Sequence, residues 1–202
     1  MRNTRDTLAR GLTEVFAPAV LAAVLPLIVG AQAASSVGAG LLWGLLASTF
    51  CAIIPYAMIL HGVRRGRLGD RHIGVREQRL RPMLFGLASV TIGVALLLLL
   101  HAPRELTALI VASLAGGVVA TAINHFWKSS VHAGVAAATT VVLTMVFGPW
   151  MLLTSVITAG VAWSRVHLKD HTVAQVVVGA IIGAVVAGVV FESCARNERV
   201  RH

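Results

Sequence analysis

The sequence predicts an all-α, polytopic membrane helix bundle of about seven transmembrane helices, or six if two short segments form one bent span. Three observations carry this. Hydrophobic residues make up 57% of the 202-residue chain and the mean hydropathy is +0.83, which leaves too little polar surface for a soluble domain. Five apolar runs, at about 14–33, 37–60, 83–101, 105–126 and 172–191, are long enough to cross a hydrocarbon core of roughly 30 Å. The polar residues gather in short islands between those runs, where charge is costly unless it has a function.

In chain order, the first run contains Pro18 and Pro26 and lacks a small-residue cleavage site, so it is expected to stay in the membrane rather than act as a cleaved leader. Residues 1–60 then form two N-terminal helices. A hydrophilic loop, 61–82, leads into the third and fourth runs. Two shorter apolar segments follow, 133–147 and 149–163, separated by Gly148-Pro149. Proline cannot continue a helix there without losing a backbone donor, so a tight return into the bilayer is expected over one bent span. The last run, 172–191, carries Gly179-x3-Gly183 and a small-residue face for close packing inside the bundle. Residues 192–202 form a basic tail. The two cysteines, Cys51 and Cys194, make neither a disulfide framework nor a zinc site.

With seven spans, residues 1–13, 61–82, 127–132 and 164–171 share one side of the bilayer. Thirteen of the seventeen Lys and Arg lie there, against Arg104, Arg196, Arg199 and Arg201 on the other. The positive-inside rule makes that face cytoplasmic in a cell membrane. Trp127 and Trp163 mark this boundary and Trp150 the opposite one, as interfacial anchors do.

Three islands on that face carry the candidate chemistry. The loop 61–82 is rich in arginine, and alone it reads first as an anchor to anionic head groups; its Asp70 and Glu77 can hold arginines in place, and it shares a face with the other two islands. The second island is Lys128-Ser129-Ser130-Val131-His132, at the start of an apolar helix. Amide donors at a helix N-terminus, two hydroxyls and an ammonium can converge on an anion there, although the serines can equally be caps and Lys128 a snorkelling residue. In the third, Ser164 and Arg165 precede His171, with Gln175 expected on the same helical face. Asp170 is expected to point away from that face.

Taken in order, the islands resemble the signature of the type 2 phosphatidic acid phosphatase superfamily, integral-membrane lipid phosphate phosphatases related to vanadium haloperoxidases. The signature is K-x6-R-P, then P-S-G-H, then S-R-x5-H-x3-D. Ser164, Arg165 and His171 fall in register with the third part, with Gln175 at the Asp position. Ser130 and His132 match the second, with Ser129 and Val131 at the Pro and Gly positions. Arg81-Pro82 supplies the R-P of the first with Gly74 at the lysine position, or His72 pairs with Arg79 in a shifted register. The resemblance spans about residues 61–191.

The resemblance implies that His171 attacks phosphorus to give a phosphohistidine, while His132 protonates the departing alkoxide and then activates water. Arg165, Lys128, Ser130, Ser164 and some of His72, Arg76, Arg79 and Arg81 would bind phosphate oxygens. Imidazole suits both histidine roles because its ordinary pKa of about 6.5 lets it serve as nucleophile or acid near neutrality. No cofactor or metal is expected, since no carboxylate cluster or His-Glu-x-x-His pattern occurs. Gln175 can orient the His171 ring but lacks the charge of a carboxylate, which by analogy with a protease triad costs up to ~10⁴ in turnover.

The expected activity is hydrolysis of a phosphomonoester or diphosphate on a lipid of phosphatidate, phosphatidylglycerophosphate or polyprenyl phosphate type. The expected partners are that substrate and membrane lipids. A phosphotransferase with the same histidines, and a non-catalytic transporter or lipid-binding bundle, remain alternatives. Nucleic acid is excluded as a partner because the cations line a membrane edge and lack stacking aromatics. The sequence does not fix the oligomeric state.

Overall fold

The structure, a computed structural model, describes residues 4–68 and 80–196, and every element among them is helical. The chain begins with α1 (Thr4–Val15), a charged, amphipathic helix. It ends where Pro18 forces the preceding Ala17 into an extended conformation (φ −60°, ψ 146°) and opens α2 (Pro18–Ala33). The two axes meet at 49°. Ser36 then caps α3 (Val37–Ser48), its Oγ accepting from Ala39 N at 3.2 Å. Gly40 and Gly44 face the α2 backbone so closely that a Cβ at either would collide with the carbonyl of Gly30 or Pro26. Small residues draw α2 and α3 into a tight hairpin.

A π-helical turn, Thr49–Ile53, joins α3 to α4 (Ile54–Arg64) without breaking the 28-residue stretch Val37–Arg64. Pro55 has no N–H to donate one turn back, and the helix widens just before it. Next come α5 (Leu80–Leu99) and α6 (Arg104–Phe126). The Arg104 guanidinium donates from Nε and Nη2 to the carbonyl of Cys194 at 2.8 and 2.6 Å, capping the far end of the last helix. The remaining elements are α7 (Val131–Phe147), a 3₁₀ turn (Pro149–Thr154), α8 (Ser155–His167) and α9 (Val173–Arg196).

Four stretches are long and apolar enough to cross a membrane: Val37–Arg64, Leu80–Leu99, Arg104–Phe126 and Val173–Ala195; α1 with α2 makes a fifth if the bent pair is one span. The expected count of seven, or six, is therefore not supported. The discrepancy lies at the first run, where α2 alone has 16 residues, and in the Gly148-Pro149 region. The expected return does occur, because Gly148 takes φ +102° and α8 folds back so that Thr158 and Thr154 hydroxyls lie 3.0 and 3.1 Å from Thr140 Oγ1. But α7 has 17 residues, a rise of about 25 Å, and α8 only 13, about 20 Å. Neither has the length of an independent span.

The interior is built from Val29, Leu97, Leu106, Ile110 and Val142, while Leu42, Leu99, Val156 and Val189 face outward. Buried hydroxyls lock helices to neighbouring backbone: Ser48 donates to Ala23 O at 2.6 Å and Ser89 to Phe50 O at 2.7 Å. The most extensive helix contact joins α7 and α9. There, Gly179 and Gly183 lie against the carbonyls of Ser130 and Gly134, so the small-residue face packs inside the bundle.

Candidate functional site

The second and third islands meet at one end of the bundle because the starts of α7 and α9 are tied together. Ser130 N donates to Gln175 O at 3.1 Å, and Lys128 Nζ donates to Asp170 O at 2.9 Å. Between α8 and α9 the chain turns tightly, with the amides of Asp170 and His171 both bonding to Arg165 O at 3.1 and 3.2 Å. This turn folds the Asp170 carboxylate back onto Arg165, Oδ2 lying 3.1 Å from Nη1. The charge of the buried guanidinium is thereby balanced and its orientation fixed.

His171 lies in this turn, two residues before α9 rather than within its first turn. It still meets Gln175, because Thr172 and Gln175 form a reciprocal helix cap. Gln175 N donates to Thr172 Oγ1 at 3.3 Å, and Thr172 N donates to Gln175 Oε1 at 3.1 Å. The same Oε1 lies 3.2 Å from His171 Nδ1. An atom that receives a backbone N–H is the amide oxygen, and an amide oxygen only accepts, so Nδ1 carries the hydrogen. In the neutral ring the lone pair then resides on Nε2.

His132 is the second residue of α7, two after the Ser130 cap, and is buried, as are Arg165 and His171. All three line one cavity of about 650 Å³. Its other walls come from α1, α2, the π-helical turn, α4 and the start of α5, including Glu14, Val20, Val24, Ile53, Tyr56 and Met83. Val20, Val24 and Ile53 on its apolar side are exposed, so the chamber is open there rather than sealed within the bundle. A second, largely apolar cavity of about 340 Å³ shares the walls Pro18, Ala52, Tyr56, Ile59 and Val131, and extends among α6, α7 and α9.

The other expected site residues are placed differently. Ser130 is buried with its hydroxyl accepting from Ala133 N at 3.4 Å, a helix cap, and it borders the apolar cavity. Ser164 is wholly buried beneath α1. It donates to Val161 O at 2.7 Å and, its hydrogen so used, accepts from Thr13 Oγ1 at 3.0 Å. Lys128 and Gln175 stand behind the imidazole cavity as struts, and Arg81 is exposed at the start of α5. His72, Arg76 and Arg79, with Asp70, lie outside the described residues. No group of three or more metal-ligating side chains occurs among the described residues.

The sequence reading missed α1. This helix packs along α8, tied by the Thr13–Ser164 bond and by His167 Nε2 donating to Asp6 Oδ1 at 2.8 Å, and it brings Glu14 to the cavity. The available signal was the i, i+4 spacing of Asp6, Arg10 and Glu14 ahead of an apolar run.

No family model, curated protein or solved structure matches the chain.

Proposed function

We propose that the protein is a metal-independent phosphatase of membrane lipids, acting through a phosphohistidine on His171. The observation that carries this reading is that two buried imidazoles and a buried guanidinium, from sequence positions 132, 165 and 171, line one cavity whose remaining walls are largely apolar. The order and spacing of the same residues resemble the type 2 phosphatidic acid phosphatase signature.

The chemistry follows from the atoms. The phosphate oxygens of a lipid substrate lie against Arg165 and the N-terminal end of α7, whose amides and dipole favour an anion. His171 Nε2 attacks phosphorus, forming a P–N bond as the P–O bond to the lipid breaks, and His132 gives its proton to the departing oxygen. Water then attacks the phosphohistidine and surrenders a proton to His132. The P–N bond breaks, releasing phosphate and restoring both rings. Gln175 keeps Nδ1–H of His171 oriented throughout. The Arg165 fork neutralises charge as it moves onto the phosphoryl oxygens.

The substrate is an amphiphile with a phosphomonoester or diphosphate head, of phosphatidate, phosphatidylglycerophosphate or polyprenyl phosphate type. Its head occupies the imidazole cavity and its tail follows the apolar walls. The charge bias of the islands supports a cytoplasmic site in a cell membrane. A transferase passing the phosphoryl group to another acceptor uses the same residues and differs only in product.

The test is phosphate release from several lipid phosphates by purified protein in detergent, with acid-labile, base-stable phosphate trapped on the protein during turnover. Release that is abolished in both His171→Ala and His132→Ala, with trapping lost in His171→Ala, is the expected result. Unchanged release in both variants removes the enzymatic reading and leaves a transporter or lipid-binding bundle.

A further inference from the structure

We infer that Glu14 is a positioning residue for the proposed reaction, holding the His132 imidazole in its protonated, proton-donating form. The inference rests on the phosphatase reading above and adds a residue from a helix that the family resemblance does not cover.

The geometry arises from α1. The Thr13–Ser164 bond fixes the C-terminal turn of α1 against α8, one residue before Arg165, and the Asp6–His167 pair fixes its first turns. The next residue, Glu14, lines the same cavity as His132, Arg165 and His171. Of the described residues that line this cavity, Glu14 is the only carboxylate. Among the described residues, the polar groups lining the cavity are Glu14 from α1, Tyr56 from α4, His132 from α7, Arg165 from α8 and His171 from the turn before α9. Asp170 is engaged with Arg165, and Lys128 with the Asp170 carbonyl.

The need for such a residue follows from the chemistry. Nδ1 of His171 is held by a neutral amide, and its Nε2 must remain a lone pair to attack phosphorus. The other ring has the opposite requirement, since a general acid must carry its proton at the start of the reaction. Burial disfavours a protonated imidazole, and a carboxylate lining the same cavity offsets that bias. Glu14 thus divides the labour between the two histidines.

The sign is fixed. A carboxylate favours the protonated ring, so its removal makes His132 lose its proton at lower pH. The limb of the pH–rate profile that falls with rising pH should then move downward. The experiment compares wild type, Glu14→Gln, Glu14→Asp and His171→Ala, measuring phosphate release from a short-chain phosphatidate in detergent across pH. Because Glu14 is solvent-exposed, the basic limb is expected to shift down by about half a pH unit in Glu14→Gln, with Glu14→Asp recovering at least half of the shift. An unchanged profile in Glu14→Gln, with wild type active and His171→Ala inactive, overturns the role of Glu14 while leaving the phosphatase reading intact. NMR titration of the His132 ring reads the same coupling without turnover: a lowered midpoint in Glu14→Gln supports the inference and an unmoved one overturns it. If wild type and His171→Ala release phosphate equally, the phosphatase reading fails and the inference fails with it.

Discussion

The side-chain oxygen of Gln175 lies 3.2 Å from Nδ1 of His171 while also closing the cap of α9 on Thr172. One amide thus starts the helix and fixes the imidazole tautomer. Gln175→Ala removes both bonds. The helix should lose about 1 kcal/mol of stability, and turnover should fall by up to ~10⁴ if the tautomer controls the nucleophile. Gln175→Glu keeps the length and both acceptor positions, so thermal stability should match wild type and turnover should stay well above that of Gln175→Ala. Melting in detergent and single-turnover rates separate the structural loss from the chemical one.

The buried Arg165 guanidinium and the Asp170 carboxylate form the ion pair that shapes the turn before His171. Asp170→Ala leaves the arginine charge without this partner, and the expected cost is about 3 kcal/mol, discounted toward 1 because Asp170 is part-exposed. The loss should be smaller when phosphate or vanadate occupies the cavity, since an anion supplies the missing charge. Thermal denaturation with and without vanadate checks this.

Much of this arrangement was legible in the sequence, for reasons that differ by element. Apolar length located α5, α6 and α9, since lipid rewards composition over a full span. The Gly148-Pro149 pair located the α7–α8 turn, since a positive φ and a missing donor are local properties. Length misled at α8, where the apolar run 149–163 divides between a 3₁₀ turn and a 13-residue helix. The islands pointed to His132, Arg165 and His171, which share a cavity, but not to the hidden partnership of Ser164 with Thr13 across 151 residues. That contact depends on α1 lying along α8, and tertiary packing of this kind leaves no trace in spacing.

Ser164 gives a way to separate packing from phosphate binding. Its hydroxyl bridges Val161 O and Thr13 Oγ1 with no exposed surface. Ser164→Ala and Thr13→Val should each destabilise the protein by about 1 kcal/mol, and the double variant should cost less than the sum. A many-fold rise in KM for Ser164→Ala without loss of stability would instead place the hydroxyl on the substrate.

Two glycines of α9 should respond in opposite ways. Gly183 faces the carbonyl of Gly134 with no space for a Cβ, whereas a Cβ at Gly188 would make an ordinary contact of 3.6 Å with Val141. Gly183→Ala must push α7 and α9 apart and separate Ser130 from Gln175, so a loss of about 2–3 kcal/mol is expected from overpacking. Gly188→Ala should be neutral or slightly stabilising, as helix propensity predicts. Detergent melting curves compare the two directly.

The apolar cavity beside the imidazole chamber sets the last expectation, which concerns the tail of the substrate. Ala138 on α7 lines this cavity, of about 340 Å³, with Ala112, Val142 and Ala187. None of these residues lines the imidazole chamber, so filling the space should spare the histidines. Ala138→Phe places a ring where methylenes of a tail would lie. If the tail enters here, kcat/KM for a long-chain substrate should fall roughly tenfold relative to a short-chain one, with the short-chain kcat retained. Equal effects on both chain lengths would mean that the tail leaves by the open side between α2 and α4, past Val20, Val24 and Ile53. Kinetics with a homologous series of acyl lengths decides between the two routes.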